Sequence, residues 1–428
     1  MKNSGVIGGW GPGIKSYILL IKTSNAAAGQ AHMGVPPRRK PQISDITRLI
    51  SGLRERLSRS GLFRKYGQKR GMKGGRLCLS VLTVLVSLWL LQRLLVPKYA
   101  DAVAEGALIA AYYEEEKDFD VIFFGDCEVY ESFSPAVLWE EYGINSYIRG
   151  SAQQYIWQSY YLLEDTLRYE TPKVAVFNVL SLRYSEAQRE AYNRMTLEGM
   201  EWSLPKIKSI LASMKEEEHF LDYVFPILRY HSRWSELTDS DLRYLFDRKQ
   251  VFHNGYYMHV EIRAARDISP GKPPGNYRFG PRAWKYLDKM AALCEEKGIE
   301  LVLIKAPSLS PFWYREWEEQ VEAYAAAHGL RYINFLERQE ETGIDYAVDT
   351  YDRGLHLNLS GAEKLSRYFG GILSRDLGVS DRRGEAHLQE IWQEKLAAYE
   401  AEKRRQYGQY GIHLYREQLK HRQTEEDM

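Results

Sequence analysis

Asp120–Glu128 reads DVIFFGDCE. Four large apolar residues, Val121–Phe124, stand between an acid and a glycine. The run is too short for a core helix and has no polar face, as in a strand covered on both sides of a parallel sheet. Gly125-Asp126-Cys127-Glu128 then falls where such a strand ends. Working outward, Ser134-Pro135 opens a helix over Ala136–Tyr142, with proline in its first turn. A second short strand, Asn145–Ile148, runs out at Gly150. Gln153–Tyr169 is amphipathic and helical, and Lys173–Leu180 (KVAVFNVL) is a third strand. The rhythm resumes at Pro281–Lys297, a helix closed by Gly298, followed by the strand Ile299–Ile304. The helix Phe312–His328 is closed by Gly329, and the strand Tyr332–Phe335 precedes a last helix, Ser360–Leu377. Strands separated by helices predict an α/β fold: a doubly wound, flavodoxin-like parallel sheet with helices on both faces.

Between the two halves, residues 183–280 break the pattern. This insertion is rich in Tyr, Trp and His, and it carries His231, Trp234, Tyr256 and Tyr257 as candidate contacts for a sugar ring. Residues 381–428 are charged and read as a helical tail appended to the domain at 98–380.

Upstream of the domain the chain changes character. Leu77–Val96 reads LCLSVLTVLVSLWLLQRLLV, 20 residues whose single charge is Arg93. A helix of that length spans about 30 Å, the thickness of a bilayer's hydrocarbon layer. Residues 1–76 hold 16 Lys/Arg against Asp45 and Glu55, a net +14, which leaves −13 for the rest of a 428-residue chain of net +1. That split argues against nucleic-acid binding by the body of the protein. Leu53–Arg76 carries nine Lys/Arg and one acid, so residues 1–76 are expected to be a basic, partly disordered cytoplasmic segment. Residues 77–96 are then the transmembrane signal anchor of a single-pass cell-membrane protein, with residues 98–428 extracellular. Ala102-Val103-Ala104 has the small residues of a signal-peptidase site, but the apolar run is long for a cleaved signal, and a retained anchor is expected. Met72-Lys-Gly-Gly-Arg directly before the run reads as the natural start of an anchored chain, which would make some or all of residues 1–71 a start-site artefact.

Open parallel sheets bind ligands beyond the carboxyl ends of their strands. Cys127 after the first strand, Gly150 after the second and Asn178 near the end of the third all fall there. So does Asp349-Thr-Tyr-Asp352-Arg-Gly-Leu-His356-Leu-Asn358, just before the last helix. A nucleophile early in the chain and an Asp/His pair late in it can meet in such a fold. Lys305, after the fourth strand, reads equally as a residue facing this site or as a solvated loop end. Cys294 reads as a core cysteine. No zinc motif, P-loop or Gly-x-Gly-x-x-Gly is present, so neither a metal nor another cofactor is expected.

On Gly125-Asp126-Cys127, Gly150 and Asp352-x-x-x-His356, the stretch from about 118 to 378 resembles the SGNH/GDSL hydrolase superfamily. It resembles especially the membrane-anchored bacterial branch that modifies cell-surface polymers, which includes the alginate-type O-acetyltransferases and the teichoic-acid D-alanylation protein D. The resemblance implies that Cys127 stands where the family's nucleophilic Ser would be, with Asp126 beside the substrate. His356 would be the base and Asp352 or Asp349 its orienting carboxylate. The backbone N–H groups of Cys127 and Gly150 would form an oxyanion hole, with Asn178 or Ser181 as a side-chain donor. The chain departs from the family in using Cys for Ser, in lacking a Gly-x-Asn-Asp block, and in a four-residue Asp–His spacing instead of three. The activity that the resemblance implies is O-acyl (acetyl) transfer or ester hydrolysis on a bacterial cell-surface polysaccharide or a teichoic-acid-like polymer, beside a multi-span membrane O-acyltransferase. The alternative is a catalytically inactive glycan-binding or scaffold subunit of the same polysaccharide-modifying complex.

Overall fold

The computed structural model describes residues 71–96, 106–245, 253–265, 268, 270 and 273–411. The expectations made for residues 1–70 lie outside these. The apolar run forms one helix, α1 (Gly71–Leu95). Of it, Leu77–Leu95 has a mean hydropathy of 1.9 and is long and apolar enough to cross a membrane. By Cα packing, α1 and residues 233–237 group as one unit, and the α/β domain, with the rest of the insertion, as another.

The domain begins with α2 (Ala107–Glu114) and continues β1 (Val121–Gly125), α3 (Cys127–Tyr130), α4 (Pro135–Tyr142), β2 (Ser146–Gly150), α5 (Ile156–Thr166) and β3 (Val174–Asn178). The insertion contributes α6 (Glu190–Leu197), α7 (Leu204–Ser213) and shorter helical turns. The second half is α8 (Pro281–Lys297), β4 (Glu300–Lys305), α9 (Arg315–His328), β5 (Arg331–Asn334), α10 (Leu359–Arg375) and α11 (Ala386–Tyr410). The five strands are all parallel, in the order β2-β1-β3-β4-β5. This is the doubly wound arrangement expected from the sequence, in which the strand order reverses at β1 and β3.

Side chains alternate across each strand, so each one feeds two cores. Val121 and Phe123, Val174 and Val176, and Val302 and Ile304 pack on one face with Leu138, Phe369 and Trp392 of α4, α10 and α11. Ile122 and Phe124, Ala175 and Phe177, and Leu301 and Leu303 pack on the other with Leu163, Met290 and Val321 of α5, α8 and α9. Capping follows the sequence: the Ser134 hydroxyl accepts from Val137 N at the start of α4, and Gly298 and Gly329 close α8 and α9 in the left-handed conformation.

The charged tail differs from its expectation. Helix α11 is part of the first core: Trp392 lies flat on Trp139 at 5.3 Å, its Nε1 donates to Asn145 Oδ1 at 3.0 Å, and Tyr399 is buried as well. Its apolar contacts, Leu388, Trp392 and Tyr399, form a thin stripe in a charged sequence, which is why the segment reads as solvated. Cys294 is buried on α8, as expected for a core cysteine, and is not disulfide-bonded.

Candidate active site

Strand β1 delivers Asp126 and Cys127 to the carboxyl edge of the sheet. The turn out of the strand is tight: a Cβ at Gly125 would come within 3.0 Å of Asn178 Cβ and closer still to Val129. Gly150 lies opposite Gly125 in register, and a Cβ there would press on Gly125 O at 3.2 Å. Both glycines let the two strand ends and α3 close together. Cys127 is the first residue of α3, so its N–H is one of the donors that a helix start leaves without an intrahelical acceptor.

His356 is brought to the same edge by a loop that is heavily braced. Thr350 and Leu357 form an antiparallel bridge, Thr350 Oγ1 donates to His356 O at 2.8 Å, and Arg353 and Gly354 turn the chain with φ of 72° and 97°. Asn358 caps α10 and donates through Nδ2 to Val348 O and Glu261 O. Segment 259–265 of the insertion runs alongside. Arg263 N donates to Thr350 O, Arg353 N to Arg263 O, and Leu359 N to His259 O.

Asp352 holds His356 at two points, accepting from its backbone N at 2.8 Å and from Nδ1 at 2.7 Å. Glu131, buried just past α3, places Oε2 3.4 Å from the same Nδ1 and accepts the Tyr351 hydroxyl. With Nδ1 engaged, the proton-accepting nitrogen of a neutral ring is Nε2, which is buried and has no hydrogen-bond partner among the described residues. The thiol of Cys127 is a neighbour of this ring, each favouring the other's charged form. Burial by itself disfavours the His356 imidazolium. Glu131, Cys127 and Asp352 together outweigh it and hold the pKa well above the usual histidine range. Burial pushes the Cys127 thiol up to about 11, against the opposing pull of His356. Both shifts favour the protonated pair, thiol plus imidazolium. Loss of one proton gives the thiolate–imidazolium form or its thiol–imidazole tautomer, and the pair titrates as a unit.

Behind Cys127 lies a second buried polar group. Asp126 Oδ1 accepts from Glu128 N at 3.3 Å and from Asn178 Nδ2 at 3.1 Å; Asn178 Nδ2 also donates to Glu128 Oε2 at 2.9 Å. Lys305 Nζ meets both oxygens of Glu128, at 3.1 and 3.0 Å, and all four side chains are buried. Burial and the neighbouring Glu128 raise the Asp126 carboxyl to about 6.

These contacts sort the sequence-derived candidates. Cys127, His356 and Asp352 come together, with Gly150 at the neighbouring strand end. Asp349 does not join them: its Oδ2 accepts from Lys364 Nζ at 2.6 Å and Asp345 N at 2.8 Å, so it braces the loop and leaves the imidazole to Asp352. Asn178 is near, but its amide donates to two carboxylates and its Oδ1 accepts from Ala306 N, so no donor remains for an oxyanion. Ser181 is buried. Asp126 is buried and caps α3 through its carboxylate. Tyr256 is core, packed near Tyr399, because its side chain points inward where that of Tyr257 does not. Tyr257 is half-buried, its ring centroid 4.6 Å from that of His259 in an edge-on arrangement, and so approaches the site. His231 is exposed and bonds only locally, to Leu228 O. Trp234 is 65% exposed and falls in 233–237, outside the unit that carries the site. Glu131, Tyr351 and His259, whose ring stacks on Tyr351 at 3.9 Å, are the members that sequence reasoning missed. Lys305 is settled as a buried partner of Glu128.

Two surface cavities, of about 360 and 520 Å³, lie elsewhere, one lined by Lys364, Arg367 and Arg375 and the other by Tyr277, Glu316 and Gln320. Neither includes Cys127 or His356. Among the described residues no group of His, Cys, Asp and Glu is placed to hold a metal ion.

The chain is thus a doubly wound α/β protein carrying a thiol, an imidazole and two carboxylates at the carboxyl edge of its sheet. No family model matches it, and no curated protein matches it. Among solved structures it is similar to a protein assigned to the lipolytic G-D-S-L family from Desulfitobacterium hafniense DCB-2, at 12% identity and a TM-score of 0.31, over 60% of this chain and all of that one. At that score the likeness carries no argument, and the class rests on the strand order.

Proposed function

We propose that the protein is an SGNH-like O-acyltransferase or esterase that works through a thioester on Cys127, on a polysaccharide at the cell surface. The observation that carries this reading is the double grip of Asp352 on His356, which leaves a buried, unpaired Nε2 next to the one thiol at the sheet's carboxyl edge. In the reaction, once the pair has lost one proton to solvent, Nε2 of the neutral ring takes the thiol proton as Sγ attacks the acyl carbon, and the imidazolium so formed protonates the departing alkoxide. A sugar hydroxyl or water next gives its proton to Nε2 and attacks the thioester, which returns the thiol. Backbone N–H groups of Cys127 and Gly150 are the candidate oxyanion donors, each worth about 3 kcal/mol. The acyl group would reach the site from a multi-span membrane O-acyltransferase, and the acceptor is a sugar hydroxyl of the polymer.

Incubation with an activated acetyl ester should add one acetyl group, mapping to Cys127. Cys127→Ala should remove the labelling, and Cys127→Ser should retain part of it. The second reading, a glycan-binding subunit without turnover, is favoured by one observation: the amide of Asn178 is spent on Asp126 and Glu128. Retention on an immobilised polymer by a protein whose Cys127 never acylates would select that reading.

A further inference from the structure

We infer that Glu131 is a second positioning carboxylate for His356, sharing its Nδ1–H with Asp352 and so setting the pH at which the Cys127–His356 pair gives up its first proton. Glu131 and His356 are both buried, with Oε2 and Nδ1 3.4 Å apart, against 2.7 Å to Asp352. The position of Glu131 is fixed independently of the histidine. The Tyr351 hydroxyl donates to the same Oε2, and the Tyr351 ring is clamped by His259 at 3.9 Å, whose Nδ1 stands 3.5 Å from Glu261. Burial raises the Glu131 carboxyl, while His356, His259 and the Tyr351 hydroxyl held on that oxygen pull the other way and favour the ionised form facing the imidazole.

The other groups around the pair are few. Asp352 and Tyr351 face the ring from its own loop, and Cys127 faces it from α3. Asp126 and Glu131 face the thiol, with Tyr192 beyond on α6. His259 and Glu261 reach the ring only through Tyr351 and Glu131. Of the anions beside the ring, Asp352 alone would suffice to fix the tautomer. A second negative charge does something else: it favours the imidazolium over the neutral ring and opposes the thiolate. By both routes it delays loss of the pair's first proton. The Glu131 charge would thus raise the pH at which the site becomes nucleophilic.

This inference deepens the acyl-transfer reading, but its test does not depend on that reading. Alkylation of Cys127 by iodoacetamide, in which the thiolate displaces iodide, needs no acyl donor. Its rate should rise with pH through a midpoint that Glu131→Gln moves toward acid by about one pH unit, with Glu131→Asp falling between, so that Glu131→Gln alkylates about tenfold faster near neutral pH. The imidazolium resonances of His356, followed by NMR, should disappear at correspondingly lower pH in the variant. A structural role alone would lower the melting temperature and leave both midpoints in place. Unchanged midpoints, or a shift toward alkali, in whichever of the two variants folds would overturn the assignment. If the midpoints shift as expected and Cys127 still takes no acetyl group, Glu131 keeps its role and the acyl-transfer reading fails.

Discussion

At the scale of single residues, Asp126, Cys127 and His356 are held away from their ordinary charge preferences, and the clearest consequence concerns Asp126. Its carboxyl is raised to about 6 by burial and by Glu128, against about 4 in an unfolded chain. Between those values the folded protein binds more protons than the unfolded one, so stability falls as pH rises from about 4 to about 6, and the deficit is complete above it. In Asp126→Asn the amide oxygen can still accept from Glu128 N and Asn178 Nδ2 while carrying no charge. The variant should lack this fall and be more stable than the parent at pH 7. Urea unfolding at several pH values would check it; parallel slopes between pH 4 and 6 for the two proteins would refute the assignment. Legibility at this scale was uneven. Cys127, His356 and Asp352 could be found because topology brings the end of the first strand and the start of the last helix to one edge. Glu131, Tyr351 and His259 could not, since no spacing ties them to the histidine and only the folded loop stacks them together. Asn178 was legible as a position but not as a role, because sequence shows where an amide lies and not which carboxylates consume its donors.

The elements show the same division between what pattern reveals and what packing decides. The strands stood out because burial on both faces removes polar residues from their centres, as in LVLI and VIFF. Glycines and the Ser-Pro pair marked the helix ends. Helix α11 escaped because its buried side chains, Leu388, Trp392 and Tyr399, are spaced among charged and polar residues. Its contribution can be measured. Trp392 is buried against Trp139 and bonded to Asn145, so Trp392→Ala should cost about 3–5 kcal/mol. Truncation after residue 380 should leave no folded domain, because it exposes Trp139, Tyr256 and the first core. Trp234→Ala offers the contrast: that side chain is largely exposed, and its loss should change stability by less than about 0.5 kcal/mol. A folded, soluble 98–380 fragment would return α11 to the status of an appendage.

For the whole molecule the question is which side of a membrane the α/β domain occupies. Leu77–Leu90 is exposed throughout, with Leu77, Leu82, Val84, Leu85 and Trp89 all more than half exposed, and only Leu95 at the far end of the helix is buried. At about 25 cal/mol per Å², an apolar helix left bare in water forgoes far more free energy than a domain's net stability, so it requires a bilayer or a partner to cover it. Its 19 residues give about 28 Å of rise, close to the hydrocarbon thickness. Orientation is then a matter of charge. Nine Lys/Arg lie in Leu53–Arg76 ahead of the helix, whereas Glu114, Glu115, Glu116, Asp118 and Asp120 lie after it. By the positive-inside rule this charge asymmetry predicts that the basic flank stays in the cytoplasm and that residues 98–428 lie on the outer face. Protease added to intact cells should therefore digest the domain, and a tag at residue 1 should survive until the cells are lysed. Should the domain be protected in intact cells and cut only after lysis, it faces the cytoplasm, and a surface polysaccharide could no longer be its substrate. Recovery of the domain from the medium, cut after Ala104, would instead make the apolar helix a cleaved signal; the site would keep its outward address and lose its anchor.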